Sequence, residues 1–179
     1  MEEKKILFDG VILKKLFCNE DSRGVLTELH RNEWWPDNQE IPVQWNVVAS
    51  SANVLRGVHV HINHMDYLTC LQGKVTIYLW DLRKKSPTFR SIIDVTLSDA
   101  HRSVLVIPPL VAHAIYSKEA SLHIYGVSRY WNIDDELGCI YNDPDLNLVL
   151  PIAHPILSER DQQAHSLCEL LQTIEPYQG

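Results

Sequence analysis

Short runs of β-branched and aromatic residues, bounded by turn formers, recur along most of the chain. Such runs at 11–17, 24–30 and 43–49 predict strands. So do those at 54–61, 67–71, 74–80, 91–97, 103–107, 113–116 and 121–129. Gln72-Gly73, between two of them, predicts a tight hairpin turn. Many short strands at regular spacing predict an all-β sandwich or barrel. The pattern changes only near the end. Ser158 is a good helix N-cap with Asp161 in capping-box position, and Ala164, Leu167, Leu171 and Ile174 follow at helical spacing. One helix over about 158–174 is expected, packed across the outside or one mouth of the barrel.

Strand alternation puts residues two apart on one face. His59 and His61 then share a face, as do His123 and Tyr125, with Leu122 and Ile124 opposite. Inward polar side chains are costly unless partnered, so this set suggests a lined pocket. His59 is a base able to take a proton from an acidic carbon, or a hydrogen-bonded structural group. Arg56-Gly57-Val58-His59 sets a phosphate-matching fork beside it, with a glycine that permits close approach. Tyr125 could donate a proton or simply pack. Asp161 could orient His59 or only complete a helix cap. His113, delivered by Pro108-Pro109, could bond a substrate oxygen, bind a metal or sit in the core.

Composition narrows the class. The 179 residues are 45% hydrophobic and 22% charged, which fits one globular domain over 1–179 and excludes a collagen-like, coiled-coil or wholly disordered chain. A net charge of −7 argues against a nucleic-acid partner but not against a small anionic ligand. No apolar run approaches the ~20 residues of a membrane span. The charged start Met1-Glu2-Glu3-Lys4-Lys5 shows no signal peptide, so a cytoplasmic protein without a membrane partner is expected. Cys18, Cys70, Cys139 and Cys168 form no CxxC pair and are expected as buried free thiols.

Several segments, in order, resemble the dTDP-4-dehydrorhamnose 3,5-epimerase family. They are Asp21-Ser22-Arg23-Gly24 with Glu28, Val43-Gln44-Trp45-Asn46, and Val54-Leu55-Arg56-Gly57-Val58-His59. Asp81-Leu82-Arg83 with Ser86-Pro87-Thr88-Phe89, Ile107-Pro108-Pro109 leading to His113, and Tyr125 follow. Tyr141-Asn142-Asp143-Pro144-Asp145-Leu146 and Leu157-Ser158-Glu159-Arg160-Asp161 close the series. The resemblance spans roughly residues 8–162. It implies a cupin double-stranded β-helix jelly roll and epimerisation at C3 and/or C5 of a dTDP-linked 4-keto-6-deoxyhexose, with no cofactor. His59 matches the base, Asp161 its partner and Tyr125 the proton donor. Arg23, Glu28, Gln44, Asn46, Arg56, His113, Glu136 and Arg160 match positions that hold substrate. A neighbouring subunit typically completes such a site, so a homodimer is implied.

Two departures matter. Asp66 stands where the family carries a lysine that stabilises the enolate, and His61 stands where it carries a glutamine. A carboxylate repels enolate charge unless it is protonated or binds a metal. A related keto-sugar isomerase is therefore a second reading. A metal-dependent cupin enzyme using His59, His61, Asp66 and His113 is a third, and a non-catalytic sugar-nucleotide binder a fourth. Trp34-Trp35-Pro36 reads as a surface loop or subunit contact, Tyr130-Trp131 as a pocket wall or packing, and Lys84-Lys85 as a solvated hairpin tip. His64, His101, His154 and His165 show no partner in the sequence.

Overall fold

The computed structural model describes residues 4–37 and 39–178. Thirteen strands run in chain order: β1 (Lys4–Ile6), β2 (Ile12–Lys15), β3 (Cys18–Asp21), β4 (Gly24–Thr27), β5 (Gln44–Ser50), β6 (Val54–Val60) and β7 (Asp66–Gln72) come first. Then follow β8 (Lys74–Asp81), β9 (Ile92–Ser98), β10 (Ser103–Ile107), β11 (Val111–Ser117), β12 (Ser121–Val127) and the short β13 (Leu137–Gly138). Six of them form one sheet in the order β1-β2-β10-β7-β12-β5, and five form a second in the order β13-β6-β11-β8-β9. This is the expected jelly roll. β3 and β4 pair only with each other, as a separate exposed ribbon.

Apolar alternation explains the layering. Leu68, Cys70 and Leu105 of one sheet meet Ile77, Leu79, Val95 and Ile115 of the other between the two sheets. The opposite face of the five-stranded sheet carries Leu55, Val58, Val60, Ala112, Ala114 and Tyr116, covered by Leu146, Leu167, Leu170 and Ile174. That sheet is dry on both faces, which is why all seven residues of β11 are buried. The outer face of the six-stranded sheet packs Tyr67, Val104 and Val106 under Trp34 and Trp35. The two tryptophans are thus buried, not a surface loop; their rings stand edge-on to each other and Trp35 to Tyr67.

Other expectations change with the tertiary structure. Gly73 does not close a hairpin, because β7 and β8 belong to different sheets. It adopts a φ of 78° and bonds through its N–H to the Asp99 carboxylate, turning the chain from one sheet to the other. The strand expected at 24–30 stops at Thr27. The C-terminal segment forms two helices, α1 (Glu159–Gln162) and α2 (Leu167–Ile174), instead of one. Between them His165 is held in a bridge to Cys139, its carbonyl accepting from the Ile140 N–H, so the helix cannot run through. Ser166 starts α2 afresh with a complete capping box to Glu169. Lys84 and Lys85 are exposed between β8 and β9 as expected, although the Lys84 backbone N–H reaches Gln178 and its ammonium pairs with Glu175. All four cysteines are free, but only Cys70 and Cys139 are buried, and Cys18 and Cys168 are exposed. Among the described residues no helix is long and apolar enough to cross a membrane.

Candidate active site

A cavity of about 600 Å³ opens between the two sheets. β6 and β11 supply Arg56, His59, His113 and Ile115 from one sheet. β5, β7 and β12 supply Val48, Asp66, Leu68, His123 and Tyr125 from the other. Residues after β13 and on α1 close one side with Ile156, Ser158, Arg160 and Asp161.

Strict alternation would send Arg56 and His59, three residues apart, to opposite faces. Both reach the cavity because β6 carries an irregularity. His59 lies opposite His113, but Arg56 lies opposite Ile115, so three residues of β6 span two of β11. Gly57 makes this possible. Its φ is 114°, and an added Cβ would sit 2.6 Å from the His113 carbonyl oxygen.

His59 and Asp161 come together as expected. The His59 Nε2 lies 2.8 Å from Asp161 Oδ1. The Asp161 N–H donates to Ser158 Oγ, while its other carboxylate oxygen faces the Gly57 N–H at 3.4 Å. Asp161 is therefore both a capped helix residue and the orienter of His59. Burial opposes its ionisation, but the hydrogen bond and charge of His59, with the Ser158 and Gly57 contacts, outweigh it and hold the carboxyl at about 2. An ionised carboxylate on Nε2 fixes the tautomer that leaves Nδ1 bare, the form a base requires. Arg160 lies against the same imidazole and donates to Glu136 Oε2 at 2.9 Å.

Tyr125 stands on the facing sheet, with His123 beside it and Leu122 and Ile124 turned away as alternation predicted. Burial, followed by the charges of Glu136 and Asp66, raises the phenol above its ordinary value, so it holds its proton at neutral pH. Trp131 lines the mouth while Tyr130 is exposed. Arg56 donates to Ser50 Oγ at 3.1 Å. Gln44 and Asn46 sit on the same face of β5 as Val48 but do not line the cavity; they bond each other, and Gln44 accepts from the Trp131 N–H. Arg23 and Glu28 are not brought to it within one chain. Arg23 is on the exposed ribbon, paired with Asp21, and Glu28 pairs with Arg31.

The cavity floor holds a second histidine–carboxylate group that the sequence disclosed only in part. The four residues of the rival metal set do not converge as one. His59 is turned to Asp161, whereas His61, Asp66 and His113 bring ligand atoms within 4.8 Å of one another. His64 and Asp135 join them: His64 Nδ1 lies 2.7 Å from Asp135 Oδ2, and the His61 and His64 rings stack with centroids 4.0 Å apart. The Asp135 carboxylate also accepts from the Ile62 and Asn63 N–H groups. The spacing His59-His61-Asp66 was readable, but His64 showed no partner in the sequence. Asp135, some seventy residues further on in a single 3-10 turn (Ile133–Asp135), left no local signal. Burial drives His113 down to about 3. Asp66 is also penalised by burial, yet the surrounding imidazoles hold it near 2.

Comparison with known proteins identifies relatives of this chain. The family model for dTDP-4-dehydrorhamnose 3,5-epimerase matches residues 5–169. The Streptomyces griseus enzyme of that name is 35% identical over 131 residues, 71% of this chain and 66% of the relative. The Pseudomonas aeruginosa enzyme is 27% identical over 176 residues, 94% of this chain and 97% of its own. Among solved structures, the Bacillus anthracis epimerase with TDP and PPi bound superposes with a TM-score of 0.87 at 27% identity, covering 93% of this chain and all of that one. The Legionella pneumophila dTDP-6-deoxy-D-glucose-3,5-epimerase, in complex with dTDP-4-keto-L-rhamnose, gives 0.86 at 25% identity, over 95% and 97%. With its two-sheet fold and a match that covers nearly the whole chain, this protein belongs to the dTDP-4-dehydrorhamnose 3,5-epimerase family.

Proposed function

We propose that the chain inverts C3 and/or C5 of a dTDP-linked 4-keto-6-deoxyhexose. The observation that carries this reading is the placement of His59, locked to Asp161, on one sheet and the protonated phenol of Tyr125 on the facing sheet, with one cavity between them. The ketone at C4 acidifies the protons on both neighbouring carbons. His59 Nδ1 takes one proton, and the C–H electron pair moves into a C=C bond as the C4 carbonyl becomes an enolate. Asp161 stabilises the imidazolium that forms. Inversion needs the new proton on the other face of the ring, and Tyr125 O–H is placed to give it. The carbonyl re-forms, the imidazolium gives its proton to solvent, and the phenolate regains one from it.

Arg56 and Arg160 supply positive charge for the diphosphate, and the half-exposed Trp131 gives a flat apolar surface at the mouth. Glu136 holds Arg160. A homodimer fits the surface of the molecule. β5 is a sheet edge that exposes Trp45 and Val47, and the β3–β4 ribbon exposes Val25 and Leu26. In this reading the ribbon carries Arg23, with Glu28 just beyond it, to the neighbouring subunit's cavity, and Gln44 and Asn46 lie beside the junction.

Incubation with dTDP-4-keto-6-deoxyglucose in D2O tests the reading. Deuterium should enter C3 or C5, and His59→Ala should abolish the exchange while keeping the fold. Tyr125→Phe should leave exchange partly intact and impair inversion. Exchange by His59→Ala at the parent rate would overturn the assignment.

A further inference from the structure

We propose that His61, Asp66 and His113 bind one divalent transition-metal ion, with Zn2+ the best fit, on the floor of the cavity, where it faces the developing enolate oxygen. The second clause rests on the epimerase reading; the first does not.

The ligand atoms of the three residues lie within 4.8 Å of one another, and all three side chains are buried. His61 Nε2 and Asp66 Oδ2 are 3.6 Å apart. That is too long for a good hydrogen bond. It is close to the roughly 3.4–3.6 Å between two ligands each about 2.1 Å from one ion at tetrahedral to trigonal angles. His61 is also aimed. Its Nδ1 lies 3.1 Å from the Asp135 carbonyl oxygen, so Nδ1–H donates there and the Nε2 lone pair points at Asp66. A second nitrogen fixed by a backbone carbonyl is the usual support of a metal-bound histidine. His64 repeats the arrangement one step back: Nδ1–H donates to Asp135, while Nε2 is buried with no hydrogen-bond partner and lies 3.7 Å from Asp66 Oδ1. His113 Nδ1 is likewise buried with no partner. Polar atoms left unsatisfied in a dry site are costly and call for a further group.

Two imidazoles and one carboxylate suit Zn, Mn, Fe or Ni and leave a coordination position open. The charge balance gives the ion its role. Asp66 alone would repel an enolate, whereas a divalent cation held by it would more than offset that carboxylate's own charge toward the C4 oxygen. His59 stays free as the base because Asp161 holds it, its ring centroid 6.2 Å from that of His113.

The test uses the purified full chain, stripped by chelator and titrated with Zn2+ by calorimetry and with Co2+ by visible absorption, without sugar nucleotide. One ion per chain and Co2+ d–d bands are expected. Asp66→Asn and His113→Ala, checked for fold by circular dichroism, should weaken binding at least 100-fold, and His64→Gln should leave it within a few-fold. Failure of the folded wild type to take up a stoichiometric ion overturns the proposal; water would then bridge the cluster. Loss of binding in His64→Gln and Asp135→Asn but not in Asp66→Asn also overturns it, placing the ion among His61, His64 and Asp135. Metal-free chain exchanging the sugar protons at the metal-loaded rate overturns the enolate role. Stoichiometric binding with no exchange in either form overturns the epimerase reading and leaves the metal site standing.

Discussion

The cavity contains two histidine–carboxylate groups built from the same chemical parts, only two residues apart in the chain at their nearest, His59 on β6 and His61 just beyond its end. In the first, His59 and Asp161 touch at 2.8 Å, and His59 is partly open to the cavity. In the second, Asp66 faces His61 at 3.6 Å and His64 at 3.7 Å, all of them buried. A direct hydrogen bond selects a tautomer and holds a proton acceptor ready. A gap of that size between buried partners does neither, and leaves room for a third body. Proximity of a histidine to an acid therefore does not define a role; the separation and the partner of the other ring nitrogen do.

The comparison can be broken most severely at Asp161. Asp161→Asn preserves shape but removes the charge that fixes His59, and kcat for epimerisation should fall on the order of 10²–10⁴-fold. A loss below tenfold in steady-state assays means His59 does not depend on its carboxylate. The next largest effect is at Gly57, which stands between the two groups. Gly57→Ala puts a Cβ against the His113 carbonyl at a positive φ, and should cost about 3 kcal/mol in urea unfolding. Unchanged stability would show that β6 relaxes without the irregularity.

The smallest effects are in pH dependence. His123 has both ring nitrogens buried without a hydrogen-bond partner, and burial, with the Arg56 charge, lowers it to about 4. The unfolded chain then takes up this proton first, so stability should fall by roughly 3 kcal/mol as pH drops from 6.5 to 4. His113, which burial lowers to about 3, adds to the same limb, so His123→Gln should make it shallower without abolishing it. Asp161 adds stability above its ordinary 3.8 that disappears as pH falls through about 2, roughly 2 kcal/mol. Asp66 and Asp81 are held near the same value, so Asp161→Asn should shrink only this lower limb and leave the upper one unchanged. Denaturant melts across the range separate the two, and coincident limbs in both variants would refute the assignment.

Local pattern carried much of this molecule. Period-two runs marked nearly every strand, and alternation alone placed His123 with Tyr125 and His59 with His61, because side-chain direction in a strand follows position. Ser158 announced a helix start for the same local reason. Where the sequence misled, a distant partner had intervened. Arg56 joined His59 on one face only because Gly57 lets β6 slip against β11. The helix broke at His165 because the segment after β13 captured its backbone. Trp34 and Trp35 were buried because the outer face of a sheet needed covering. Asp135 could not be read at all, since nothing near it in the chain distinguishes it from a surface acid. What the amino-acid order fixed by itself was element type and side-chain face, which depend on neighbours in sequence. Partners, separations and burial belonged to the tertiary structure, because hydrogen bonding and desolvation depend on which atoms meet across the two sheets.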